Sequence, residues 1–208
     1  MIVINNTEQG SAEWHTLRIG RITSSRTKDI MKSDNLPVVD ALIAERECRE
    51  EALWDAVENN NESEAMRWGT EHEPEAKAKY SEQTGTELID VAFCIHDVYD
   101  WLGMSPDGLT PDYTGAVEVK CPNTKIHVRT IRMGGVPNEH KHQIAQYFLV
   151  NEKLQWLDFI SYDPRFAPKP LYIYRVERSA IETELADTMT ALVKFWAKFE
   201  KYHQQVTF

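Results

Sequence analysis

The stretch from Ser105 to Pro122, Ser-Pro-Asp-Gly-Leu-Thr-Pro-Asp-Tyr-Thr-Gly-Ala-Val-Glu-Val-Lys-Cys-Pro, constrains this chain more than any other. Tyr113-Thr114-Gly115 reads as a turn and residues 116–120 as a short strand. Side chains alternate along a strand, so Val117 and Val119 point to one side and Glu118 and Lys120 to the other. A carboxylate and an ammonium on one face of a valine-clad strand are costly if that face is buried. Either the face is a solvated sheet edge, or the charges are kept there for their chemistry. Asp107, in the Ser-Pro-Asp-Gly turn upstream, places a second carboxylate across the hairpin. Asp107 and Glu118 could then hold a hard divalent cation through oxygen.

An aspartate followed by Glu-x-Lys is the arrangement that metal-dependent nucleases use. Two carboxylates hold Mg²⁺, which polarises a phosphodiester and acidifies a water, while the lysine orients or activates that water. The spacing alone is not selective. A second Glu-x-Lys, Glu75-Ala76-Lys77, lies in a helical pattern where positions i and i+2 do not share a face.

A length of 208 residues suits one domain spanning 1–208 with a substantial core. No apolar run reaches the length of a membrane span, and the first residues lack a signal-peptide pattern, so a cytoplasmic protein with no membrane partner is expected. Cys48, Cys94 and Cys121 are odd in number and contain no C-x-x-C pair, which argues against a disulfide framework or a zinc or iron–sulfur site. They read as buried thiols. The net charge of −10 suits nucleic acid poorly until the charges are located. Acids dominate residues 40–90, whereas Arg18, Arg21, Arg26, Lys28 and Lys32 form one basic cluster and Lys120, Lys125, Arg129 and Arg132 another. Such segregation leaves room for a basic groove; a uniformly acidic protein that repels DNA is the other reading of the composition.

Residues 13–25 lead into a helix ending near Met31, with Thr23, Ser24 or Ser25 as its N-cap. Arg18 beside hydroxyls at a helix start suits a phosphate, and equally suits simple capping with a surface arginine. One helix is expected from Pro37 to about Glu58, broken by Asn59-Asn60-Asn61, and another over 63–83. That second helix carries Glu73, a candidate third acidic group that suits a surface charge equally well, and Pro74, where a kink or break is expected. Gly69 within it suggests close approach by a neighbouring backbone or a ligand. Strands over 86–96, 101–104 and 116–121 form a three-stranded meander. Helices follow over 124–133 and 139–150, the latter with Gln143 able to face Glu118 and Lys120. Strands over 154–162 and 171–176 come next, and then a final helix opened by a capping box from Ser179 to Glu182, with an apolar stripe from Ile181 to Phe199 that reads as core or subunit contact.

Several pieces in one order resemble the lambda exonuclease family, the YqaJ-type viral recombinases, within the PD-(D/E)xK nuclease superfamily. They are Glu13-Trp14-His15-x-x-Arg18-x-Gly20-x-Ile22-Thr23-x-Ser25, Trp68-Gly69-x-x-x-Glu73, Ser105-Pro106-Asp107-Gly108-Leu109, Glu118-x-Lys120-Cys121-Pro122, Gln143, and Tyr162-Asp163-Pro164-Arg165. The resemblance implies an α/β (α+β) fold with a restriction-endonuclease-like core, a mixed central sheet of about five strands flanked by helices. It implies that Asp107, Glu118 and the Val119 backbone carbonyl hold metal, that Lys120 is the catalytic lysine, that Glu73 orders a water, and that Gln143 is a supporting amide. It assigns Arg18, with Thr23, Ser25 and Ser105, to the 5′-terminal phosphate, and Met66 to a wedge that parts the duplex end.

By the same resemblance the cofactor is Mg²⁺, two ions, with Mn²⁺ able to substitute. The activity is 5′-to-3′ exonucleolysis of double-stranded DNA ends, leaving 3′ overhangs for a single-strand annealing protein in phage-type recombination. The assembly is a homotrimer ring, and the setting is the cytoplasm of a bacterial host carrying a phage or prophage. The family's second glutamine, two residues after the first, is here Ala145, so no glutamine pair is assigned and Gln146 is read as merely adjacent. A RecB-like relative would bring a four-cysteine cluster that three scattered cysteines cannot supply. The alternative of a different class is a non-catalytic DNA-end-binding or assembly protein on a nuclease scaffold, against which the intact Asp107, Glu118 and Lys120 set argues.

Overall fold

The computed structural model describes residues 1–58 and 63–208. Its central element is a mixed sheet in the order β4 (Gly108–Leu109), β5 (Gly115–Lys120), β6 (Trp156–Tyr162), β7 (Leu171–Glu177). β5 and β6 run parallel, from Gly115 against Trp156 to Lys120 against Ser161, and the outer pairs are antiparallel. A parallel pair needs a crossover, supplied here by helices α6 (Thr124–Met133) and α7 (Asn138–Val150). Gly115 is required at the start of β5, because a Cβ there would stand 2.2 Å from the Trp156 ring.

A second, antiparallel sheet joins β1 (Ile2–Ile4), β2 (Phe93–Ile95) and β3 (Gly103–Met104). The expected meander is therefore divided between two sheets: β2 and β3 pair, but β5 pairs with β4 and β6. The Ser105-Pro106 step between β3 and β4 explains the division, since proline cannot donate to a ladder. The expected strand over 86–96 contracts to β2 plus an isolated bridge from Ile89 to Leu109.

The two faces of β5 meet different helices. Val117 and Val119 join Ile160, Tyr162, Ala76 and Tyr80 in a small core under α5 (Glu64–Thr84). The larger core lies between the opposite face, α7 and α8 (Glu182–Thr207), and contains Phe148, Leu192, Phe195 and Phe199. The stripe of α8 is thus core, with Ile181 and Met189 packed at its margin. Its capping box does not form: Arg178–Ala180 make a 3₁₀ turn, and Ile181 takes the N-cap position without a side-chain bond.

Toward the N-terminus, α1 (Ala12–Arg18) is capped by Ser11, whose Oγ accepts from the Trp14 N–H. The N-cap of α2 (Ser24–Ile30) is Thr23, whose hydroxyl pairs with Ser25 instead of capping the helix. The expected helix over 37–58 is two, α3 (Leu36–Glu47) and α4 (Arg49–Glu58), because Cys48 leaves helical geometry at φ −114°, ψ 52°. The expected break at Asn59-Asn60-Asn61 lies outside the described residues. α5 continues through Pro74 without a break and ends at Gly85 in the left-handed conformation, φ +71°. Cys94 is buried, but Cys48 is exposed and Cys121 half-buried, so the expectation of three buried thiols holds for one. Among the described residues no helix is long and apolar enough to cross a membrane.

Candidate active site

Alternation along β5 turns Glu118 toward α7, where it is fully buried. Gln143 Nε2 donates to its Oε1 at 2.7 Å, the Tyr147 hydroxyl donates to its Oε2 at 2.7 Å, and Lys120 forms an ion pair with it. Asp107 Oδ2 accepts from the Val119 N–H at 2.7 Å, which ties the Ser-Pro-Asp-Gly turn to β5 between the two charged residues. The backbone carbonyl of Asp107 accepts from Lys77, whose ammonium also meets Asp90 and, at 3.3 Å, Glu73. The lysine of the second Glu-x-Lys thus braces the turn that carries Asp107.

Burial, and next the Glu118 charge, push the Asp107 carboxyl well above the ordinary carboxylate range. Burial works against the Lys120 charge, yet Glu118 and Asp107 outweigh it and hold its pKa above the usual lysine value. Lys120 is therefore an ammonium donor in this setting. Two carboxylates share that one cation, so both can ionise together only against excess negative charge at low dielectric, which is what raises Asp107. Among the described residues no three or more His, Cys, Asp and Glu side chains gather as a metal cluster. A Mg²⁺ ion, which keeps several waters and takes one or two protein carboxylates, fits this sparse, hard oxygen set.

While Glu118 stays fully buried, Asp107 and Lys120 open into a cleft of about 900 Å³ that Glu73 and Val119 also line. Met66 stands on its wall in the first turn of α5 and is 53 % exposed. Gly69 borders the same cleft, and a Cβ there would meet nothing within 4 Å, so the close approach by a neighbouring backbone expected of it is not made.

Arg18 lies over the Trp14 ring at 4.2 Å and donates from Nη1 to Ser105 Oγ at 2.8 Å. With Thr23, Ser25, His15 and Arg26 it lines a cavity of about 180 Å³, closed on one side by α4 through Ala52 and Ala56. Burial, and next the Arg26 charge, lower the Arg18 pKa to about 10. Glu45 enters this cavity too, bound by the Arg26 guanidinium and the Gly20 N–H. Ser105 stands two residues before Asp107, so one turn joins the arginine cavity to the carboxylate pair within about 7 Å of chain.

The residues singled out in the sequence thus fall into two adjoining groups: Asp107, Val119, Lys120 and Glu73 on the cleft, with Glu118 joined to them through Lys120 and Gln143 through Glu118, and Arg18, Thr23 and Ser25 on the cavity, with Ser105 bonded to Arg18. Tyr147 was missed. Its place one turn after Gln143 on the same helix face was the available signal. Gln146 stands beside the site, as expected; fully buried, it donates to the carbonyls of Ile22 and Gly103 and ties α7 to both.

Fold and site together define the class, a mixed α/β protein with the nuclease fold of an alkaline exonuclease. The alkaline exonuclease LHK-Exo of Laribacter hongkongensis superimposes with a TM-score of 0.83 at 32 % identity, over 94 % of this chain and 96 % of that one. A structure of LHK-Exo in complex with dAMP matches at 0.78 and 31 % identity, over 94 % and 98 %. A phage-related exonuclease of Haemophilus somnus 129PT, at 14 % identity and a TM-score of 0.51 over 92 % and 97 %, shares the fold. Residues 13–153 match the YqaJ-like viral recombinase domain, and the chain belongs to that family. No curated protein matches it in sequence.

Proposed function

We propose that this protein is a Mg²⁺-dependent exonuclease that degrades double-stranded DNA in the 5′-to-3′ direction from 5′-phosphorylated ends, leaving 3′ single strands for recombination by annealing. The observation that carries the reading is the shared turn: Ser105 holds Arg18 at 2.8 Å, while Asp107, two residues on, meets β5 beside Glu118 and Lys120. An anion socket and a carboxylate pair at that spacing suit a terminal phosphate and the bond next to it. The co-crystal of LHK-Exo with dAMP supports a deoxynucleotide-sized ligand in this fold.

Asp107, Glu118 and the Val119 carbonyl would hold Mg²⁺, which when bound supplies charge neutralisation at the phosphodiester and an acidified water. Gln143 and Tyr147 fix the Glu118 carboxylate by two hydrogen bonds, so its oxygens need no reorganisation during the reaction. Lys120 presents an ammonium to the negative charge that develops at the phosphate, and Glu73 stands where it can orient a water. Arg18, desolvated and hydrogen-bonded before substrate arrives, favours a terminal phosphate over a hydroxyl, with Thr23 and Ser25 as further donors. Met66, apolar and exposed on the cleft wall, is placed to separate the last base pair.

A homotrimer ring around the duplex, an annealing protein as recipient of the 3′ strand, and action in the host cytoplasm complete the proposal. Digestion of linear duplex carrying either a 5′-phosphate or a 5′-hydroxyl, with Mg²⁺ or with EDTA, tests it. Expected are Mg²⁺-dependent loss of the 5′-labelled strand and a preference for the phosphorylated end that disappears in Arg18→Ala. Binding without digestion would leave the protein an end-binding factor.

A further inference from the structure

The Tyr162-Asp163-Pro164-Arg165 segment takes no part in the site described so far, yet it ends on the wall of the same cleft. Asp163 is fully buried at the end of β6; its Oδ1 accepts from both the backbone N–H and the Nε of Arg165, at 3.0 and 2.7 Å, and its Oδ2 from the Thr124 hydroxyl. The guanidinium lies over the Trp68 ring at 4.0 Å, and Trp68 stacks on His72 at 3.7 Å. Nη2 reaches the Pro122 carbonyl at 3.4 Å, while Nη1 meets no protein acceptor among the described residues, and the side chain remains 46 % exposed.

Resting on the nuclease reading above, we propose that Arg165 is a contact to the DNA backbone, a phosphate-binding arm that holds the strand beside the catalytic pair. The charge distribution argues for it. Lys120 serves the reacting phosphate from its ion pair with Glu118, and Lys77 is bound to Glu73 and Asp90, whereas Arg165, on the cleft wall, has its carboxylate partner on only one side of its fork. An acidic chain that binds a polyanion needs such a group, and a guanidinium fixed by a buried carboxylate and an aromatic face loses little conformational freedom on binding. Asp163 and Trp68 are positioning residues: they aim the arm, and through the Pro122 contact the arm stays in register with the loop after Lys120.

Binding of a fluorescent 5′-phosphorylated duplex in EDTA across a KCl series, with wild type, Arg165→Gln and Arg165→Lys, tests the proposal. The glutamine variant is expected to bind about tenfold more weakly at low salt, with the slope of log K against log salt shallower by ~0.9, the loss of one phosphate contact. The lysine variant should keep the slope and lose part of the affinity. A glutamine variant with wild-type slope and affinity, or one whose only change is a lower melting temperature, overturns the arm and leaves Arg165 a buttress of the loop. Should that variant not fold, a lysine variant whose slope departs from wild type would equally overturn it. Wild type that neither binds nor cuts duplex in Mg²⁺ overturns the nuclease reading itself, an outcome distinct from a wild type that binds and a variant that matches it.

Discussion

Adjacent strands of the main sheet each bury one carboxylate, and the two are treated differently. Asp158 on β6, 2 % exposed, is met in full: Arg175 donates from Nε and Nη2 at 2.8 and 2.7 Å, and the Tyr80 hydroxyl donates at 2.7 Å. One anion faces one guanidinium in bidentate geometry, and no charge is left over. Glu118 on β5 has as many hydrogen bonds, from Gln143, Tyr147 and Lys120, but it shares its single cation with Asp107. The number of hydrogen bonds does not separate these carboxylates; the sum of charge does. A buried anion that is balanced holds a fold together, and a buried pair that is not balanced has room for an ion.

The comparison breaks most visibly on activity. Lys120→Ala and Asp107→Ala are each expected to lower digestion of linear duplex by ~10³-fold or more while duplex binding in EDTA persists. Digestion by either purified variant at near wild-type rate removes the pair from the chemistry. Stability supplies the opposite arm. Asp158→Asn turns an acceptor into a donor that faces Arg175 or Tyr80, so urea unfolding should show a loss of about 2–3 kcal/mol with activity per folded molecule retained. Glu118→Gln removes a like charge from beside Asp107 and should lose activity at less than half that cost in stability. Equal destabilisation by the two substitutions, measured without metal, would mean that Glu118 is as balanced as Asp158.

The sequence made one side of this contrast readable and hid the other. Alternation is local, so Val117, Glu118, Val119 and Lys120 could be assigned to faces from five residues, and the facing role of Gln143 followed from one helix and one strand. Asp158 carries no such mark: in Leu157-Asp158-Phe159 it is a lone acid in an apolar strand, and Arg175 and Tyr80 reach it from positions 17 and 78 residues away. The same non-locality concealed β1, whose partner β2 lies about ninety residues on, and the division of the meander, where Pro106 acts through a ladder that never forms. Tyr147 resembled every other core aromatic of α7 until its hydroxyl was seen on Glu118. Cys48 ends α3 by its backbone angles alone, which composition does not announce.

The smallest effect is the one closest to the physical claim. If excess charge at Asp107 and Glu118 is what an ion neutralises, then Mg²⁺ binds the folded chain and not the unfolded one, and stability rises with its concentration. At ten times the dissociation constant the gain is about 1.4 kcal/mol, worth about 3–6 °C in the melting temperature of a chain this long. The shift should vanish in Asp107→Asn and in Glu118→Gln, because either substitution removes the imbalance, and it should survive in Asp158→Asn, whose carboxylate was never short of a partner. Melting curves in EDTA and in a Mg²⁺ series read this without any DNA present. A wild type that melts at one temperature throughout the series would show that Lys120 alone suffices for both acids, and the difference between the two strands would then be one of position and not of charge.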